Sequence, residues 1–284
     1  MVPGILLHLV ASAAYALLAL HFWNTRWRPG AAAASIGLRA WERIAILVPL
    51  ALQGWLLYSD IVLPPQPLFG FADALSAMLW LAVLFYWIES FIYRLDGMLS
   101  PALGLAALCV PLPALFPGMA ATYAASLEFK LHLILAMLAY SLFTLAMLHA
   151  VLMAVVERRL HHARKPAPGD APGVLTGALG ALPPLLTQER LLFRLIAAAF
   201  VLLTLTLITG IVFAESLFGK PLRFDHKTLF AILSWLTFAV LLAGRHFYGW
   251  RGRTALRWTL SGFVMLLLAY VGSRFVLEVI LGRT

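Results

Sequence analysis

Of the 284 residues, 63% are hydrophobic and only 12% are charged, about half the charged share of a soluble domain; a soluble globular fold is excluded. The formal net charge of +9 would suit a nucleic-acid binder, but the Lys and Arg residues fall in loops between apolar runs. That is the pattern of a polytopic membrane protein, and it leaves membrane lipid, not nucleic acid, as the surrounding partner.

The first apolar run begins at Gly4 with no basic residue before it, whereas Arg26 and Arg28 follow it. This order reads as a first span with its N-terminus outside rather than a secretory signal. A span needs about 20 apolar residues. Eight stretches qualify, at 4–23, 42–61, 72–93, 98–117, 128–156, 190–214, 227–247 and 255–280. The fourth carries Pro101, Pro111, Pro113 and Pro117, which kink a helix. Charge bias nevertheless requires it. With eight spans and both termini outside, 15 Lys and Arg residues face inward and 6 outward, a strong positive-inside asymmetry. Without the fourth span, one of two strongly basic loops would face the wrong side.

The segment 158–189 begins with a basic stretch and continues into Pro, Gly and Ala, so it reads as a cytoplasmic linker. Otherwise the chain, 1–284, is one integral membrane domain of all-α class with no soluble module. Cys109 is the single cysteine. It sits in an apolar run as a small hydrophobe, and no CxxC pair or CxxCH haem-attachment motif is present.

Topology sorts the histidines. His8, His132 and His226 lie toward the outer face, and His21, His149 and His246 toward the inner one. His132 and His149 share the fifth span 17 residues apart, about 25 Å at 1.5 Å per residue, and cannot serve one iron. His132 lies one turn into its span, where an ionisable residue points to function. His226 opens the seventh span, where a helix N-terminus disfavours the imidazolium and so favours the neutral ring that a metal or haem iron takes. Lys220, Arg223 and Lys227 nearby suit haem propionates. Asp225 reads either as the acceptor that orients an imidazole or as the N-cap of the seventh span, and the two roles are compatible. His226 also reads as a solvated residue at the membrane surface, His8 as a polar packing residue, and His21 and His246 as interfacial side chains. No GxSxG, HExxH or P-loop occurs, and there is no ladder of carboxylates across the membrane; catalytic residues are not expected.

From about Glu128 to Tyr270 the chain resembles the cytochrome c assembly proteins of the CcsA type, and more closely their YpjD/HemX-like branch. The resemblance is carried by His132 followed by LAYSLFTLAMLHAVLMAVVERRL, by LPPLL, by ITGIVFA at 208–214 and by Trp235. GWRGR at 249–253 completes it. Phe224-Asp225-His226-Lys227-Thr228 stands where those proteins show Trp-Asp-Pro-Lys-Glu. The family's tryptophan-rich loop is reduced to SLFGKPLRF, the inner-tier ligand position falls near Ala243, and the last span shows AYVGSRFVLEVIL where the family has its second outer-face His.

The resemblance implies a cytochrome c assembly-like core at 128–280 and a protein of the bacterial inner membrane. The expected activity is to bind b-type haem non-covalently near the periplasmic face for cytochrome c biogenesis. It is binding and presentation rather than enzymatic turnover, with other assembly proteins or apocytochrome c as partners. His132 carries over as a ligand, and His226, in the proline's place, is the candidate second one. The competing readings are a HemX-like regulator or scaffold of haem biosynthesis that binds no haem, and a small-molecule transporter.

Overall fold

The computed structural model describes residues 2–27, 37–61, 63, 68–93, 96–120, 126–162, 185–218 and 226–280. Eight of its helices are long and apolar enough to cross a membrane, and their bounds follow the eight apolar runs to within a few residues at most ends. Helices are the expected solution, because a chain in hydrocarbon must satisfy its backbone polar groups internally. Large side chains on the outer faces, among them Leu17, Ile44, Leu108 and Ile208, are more than half exposed. An apolar outer surface of this kind faces lipid.

The N-terminal half holds α1 (Val2–Phe22), which runs into a π-helical turn at Trp23–Trp27, α2 (Ala40–Ile61), α3 (Phe71–Glu89) and α4 (Asp96–Cys109). The proline-rich fourth span does break. α4 ends at Cys109, a turn follows at Val110 and Pro111, and the short α5 (Leu112–Leu115) completes the crossing. A two-residue antiparallel bridge, Leu68↔Ala120 and Phe69↔Met119 (β1 and β2), ties the start of α3 to the segment after α5.

The C-terminal half holds α6 (Leu127–His162), α7 (Leu185–Phe218), α8 (His226–Tyr248) and α9 (Gly252–Leu267). The last helix continues from α9 through a π-helical turn at Leu268–Gly272, the α-turn α10 (Ser273–Phe275) and a second π-helical turn at Val276–Ile280. Helices α6 and α7 make the most extensive helix pair of the fold. Both run into the stretch read as linker, so residues 158–162 and 185–189 are helical and 163–184 lie outside the described residues. The GWRGR turn joins α8 to α9 with Gly249 at φ 65° and Gly252 at φ 54°, left-handed positions that glycine takes without a Cβ clash.

The two halves meet where α3 packs on α6. There the Tyr86 ring stacks on His149 with centroids 5.6 Å apart. In the C-terminal half, Phe143 of α6 stacks on Phe238 of α8 at 4.0 Å. At the end of the bundle that holds the α1–α2 connection, Glu42 is 1% exposed and Arg26 2% exposed. The Glu42 carboxylate accepts from Arg26 Nη2 at 3.0 and 3.2 Å and from the Arg39 backbone N–H at 2.8 Å. His21 Nε2 lies 3.0 Å from it as well. His21 is therefore held by a buried carboxylate rather than being the snorkelling residue the sequence suggested.

Candidate functional site

A cavity of about 370 Å³ opens at the other end of the bundle, where α6 and α8 begin and α7 and the last helix end. Its walls are mostly apolar. α6 contributes Phe129, Leu133 and Met137, α7 contributes Leu203 and Leu207, and Phe69 reaches in from β1. Two hydrogen bonds tie the surrounding helices together. Tyr140 Oη donates to the Leu266 carbonyl at 2.9 Å and ties α6 to α9. Trp235 Nε1 donates to Thr204 Oγ1 at 2.9 Å, with the indole stacked on Phe200, and pins α8 to α7.

His132 is the imidazole in this wall. It is half-buried, with Nδ1 3.0 Å from Thr209 Oγ1. The Thr209 hydroxyl also lies 2.9 Å from the Leu205 carbonyl and 3.0 Å from the Thr206 carbonyl of its own helix. A hydroxyl has one proton; with that proton donated to either carbonyl, Thr209 faces the ring as an acceptor, which matches a neutral imidazole protonated at Nδ1. In that tautomer Nε2 keeps its lone pair. This is the tautomer a metal-binding imidazole presents, with the orienting bond on its other nitrogen. Gly210 eases the approach: a Cβ there would sit 3.3 Å from His132 Cε1, so the ring would have to give by a few tenths of an ångström.

The mouth is cationic. Lys227 and Arg274 both line it, and no lining residue is acidic. The Arg274 guanidinium carbon stands 6.0 Å from the Tyr270 ring centroid.

Of the residues singled out in the sequence, the structure brings His132 and Lys227 to one cavity. His226, the first residue of α8, is exposed and is not part of the cavity wall, which at this point is formed by Lys227 and Thr228. Lys220, Arg223 and Asp225 lie outside the described residues. His8 is 4% exposed and contacts Asp60 Oδ2 at 3.4 Å, so it packs away from the cavity. His246 is exposed against Phe247. His149 is fully buried, and neither ring nitrogen has a hydrogen-bond partner among the described residues. No cluster of three or more metal-ligating side chains occurs among the described residues. Sequence reading missed Thr209, Gly210, Tyr270 and Arg274. Only Arg274, a charge at the end of an apolar span, carried a signal.

Eight apolar spans enclosing a single-imidazole cavity at one end define a multi-pass membrane protein with a ligand-sized interior site. The sequence profile described as "Cytochrome C assembly protein" matches residues 68–281. The chain belongs to the cytochrome c assembly protein family. It is 33% identical over 149 residues to "Inner membrane protein YpjD" of Escherichia coli (strain K12), covering 52% of each chain. It is 35% identical over 152 residues to "Uncharacterized 28.8 kDa protein in nifR3-like 5'region" of Azospirillum brasilense, covering 54% of this chain and 52% of that one. "Cytochrome c biogenesis protein CcsA" of Prochlorococcus marinus (strain MIT 9515) is 40% identical over 87 residues, 31% of this chain and 28% of that one. The chain spans about half the length of the first two of these relatives. No solved structure matches it. The apolar helices and these relatives make it a multi-pass protein of the bacterial inner membrane.

Proposed function

We propose that this protein handles haem for cytochrome c biogenesis, holding b-type haem non-covalently in the cavity near the periplasmic face. The observation that carries the reading is His132: an imidazole in a mostly apolar cavity wall, with Nδ1 3.0 Å from Thr209 Oγ1. Haem, when bound, supplies an iron that takes an axial imidazole. His132 would provide that ligand, Thr209 would hold its tautomer, and the apolar walls would exclude water. Lys227 would pair with a propionate, with Lys220 and Arg223 adding to the same charge. His226, one residue before Lys227, is exposed outside the cavity wall; to serve as the candidate second ligand its ring would have to turn inward, with Asp225 as its orienting acceptor. Apocytochrome c or other assembly proteins would be the partners.

An absorption spectrum of the detergent-purified protein tests this. The wild type should carry haem or take it up with a Soret band. His132→Ala should lose most of that band while His149→Ala keeps it, and His226→Ala should shift it. Equal haem occupancy in the His132→Ala and His149→Ala variants would remove the cavity as the site. A wild type with no Soret band would leave the haem-free regulator or scaffold reading in its place.

A further inference from the structure

Arg274 has no part in the reading above. It reaches the cavity from the last helix, whose lining residues Leu266, Ala269, Tyr270 and Arg274 are spaced as one face of a helix. Between them the backbone of Leu268–Gly272 is π-helical, and π-helical turns inside longer helices frequently mark functional sites.

The result is a cavity with an apolar body and a mouth that holds two cations from two helices and no carboxylate among its lining residues. Lys227 comes from the first turn of α8 and Arg274 from the last helix. We infer that the cavity selects an apolar molecule carrying an anionic group, with Arg274 and Lys227 as the residues that bind that group at the mouth. The guanidinium offers a planar fork that matches a carboxylate or a phosphate with two hydrogen bonds, and the ammonium adds a point charge. The inference rests on the cavity's being a ligand site, but it does not depend on an iron–imidazole bond.

The test uses an iron-free probe, so that anion recognition is read apart from ligation. Binding of protoporphyrin IX and of its dimethyl ester to the full chain in detergent would be followed by fluorescence anisotropy. The free acid should bind about tenfold more tightly than the ester, the equivalent of about 1.4 kcal/mol. Arg274→Gln should bring the two within about threefold; Arg274→Lys should keep most of the preference, and Lys227→Gln provides a second removal if Arg274→Gln does not fold. His246→Ala, outside the cavity, should leave the preference intact. A wild type that binds acid and ester equally would overturn the inference, as would a preference that survives both Arg274→Gln and Lys227→Gln.

Competition separates the two sources of such a group. Displacement of the probe by phosphatidylglycerol but not phosphatidylcholine, lost in Arg274→Gln, would support the anion site and assign it to a lipid head; no displacement would support it as a site for porphyrin-type acids. The two readings fail separately. A His132-dependent Soret band without any acid preference would sink the anion site alone. An Arg274-dependent preference in a protein with no Soret band would sink haem ligation alone.

Discussion

Thr209 shows how much a single hydroxyl decides. Within α7 it bonds back to the carbonyls of Leu205 and Thr206, the usual fate of a threonine in an apolar helix. Its remaining acceptor capacity suits a proton on Nδ1 of His132. Thr209→Val keeps the shape and removes the acceptor. It should weaken haem uptake by about tenfold, the lower end of what loss of such an orienting partner costs, and alter the axial-ligand signature of the spectrum. Thr209→Ser should restore both. A Val variant with wild-type affinity and spectrum would show that the ring needs no orientation from α7. His132 was legible in the sequence because an ionisable residue inside a span stands out. Thr209 was not: its role lies in a 3.0 Å distance across 77 positions of chain.

Among the elements, the junction between α1 and α2 is where charge is most deeply buried. Glu42 accepts two hydrogen bonds from Arg26 and one from the Arg39 backbone, and both members of the ion pair are almost inaccessible. A buried pair adds little against an apolar replacement, but removing one partner strands the other and costs several kcal/mol. Glu42→Ala should therefore destabilise the protein by about 3 kcal/mol, read as a lowered midpoint of thermal unfolding in detergent. A replacement without measurable effect would mean that Arg26 reaches water in solution. In sequence, Glu42 is one acid at the start of a span, and nothing there shows that Arg26, 16 positions earlier, closes on it. The broken fourth span was legible, since prolines at 111 and 113 fix the interruption between α4 and α5.

At the scale of the whole molecule, the eight apolar runs settled the crossings almost residue by residue, because hydrocarbon admits few alternatives to a helix. From the distribution of Lys and Arg we propose an orientation with the cavity end outward. Alkaline phosphatase, active only after export, should be active when fused after Phe218 and inactive when fused after His162; the opposite pattern would turn the cavity to the cytoplasm. Side-chain convergence was far less legible. Sequence proximity grouped His226 with Lys227, yet an exposed first residue of a helix and its neighbour look in different directions. The π-helical turn that precedes Arg274 leaves no periodic trace in a stretch that is apolar on nearly every face.

The walls of the cavity are drawn from Phe69 at one extreme and Arg274 at the other, more than two-thirds of the chain apart. No short fragment can reproduce them, so occupancy is linked by mass action to the integrity of the entire bundle. A molecule that settles among α6, α7, α8 and the last helix must raise the temperature at which all of them come apart, by an amount that grows with its free concentration. Thermal stability thus becomes a titration of the site, readable even for a ligand without colour.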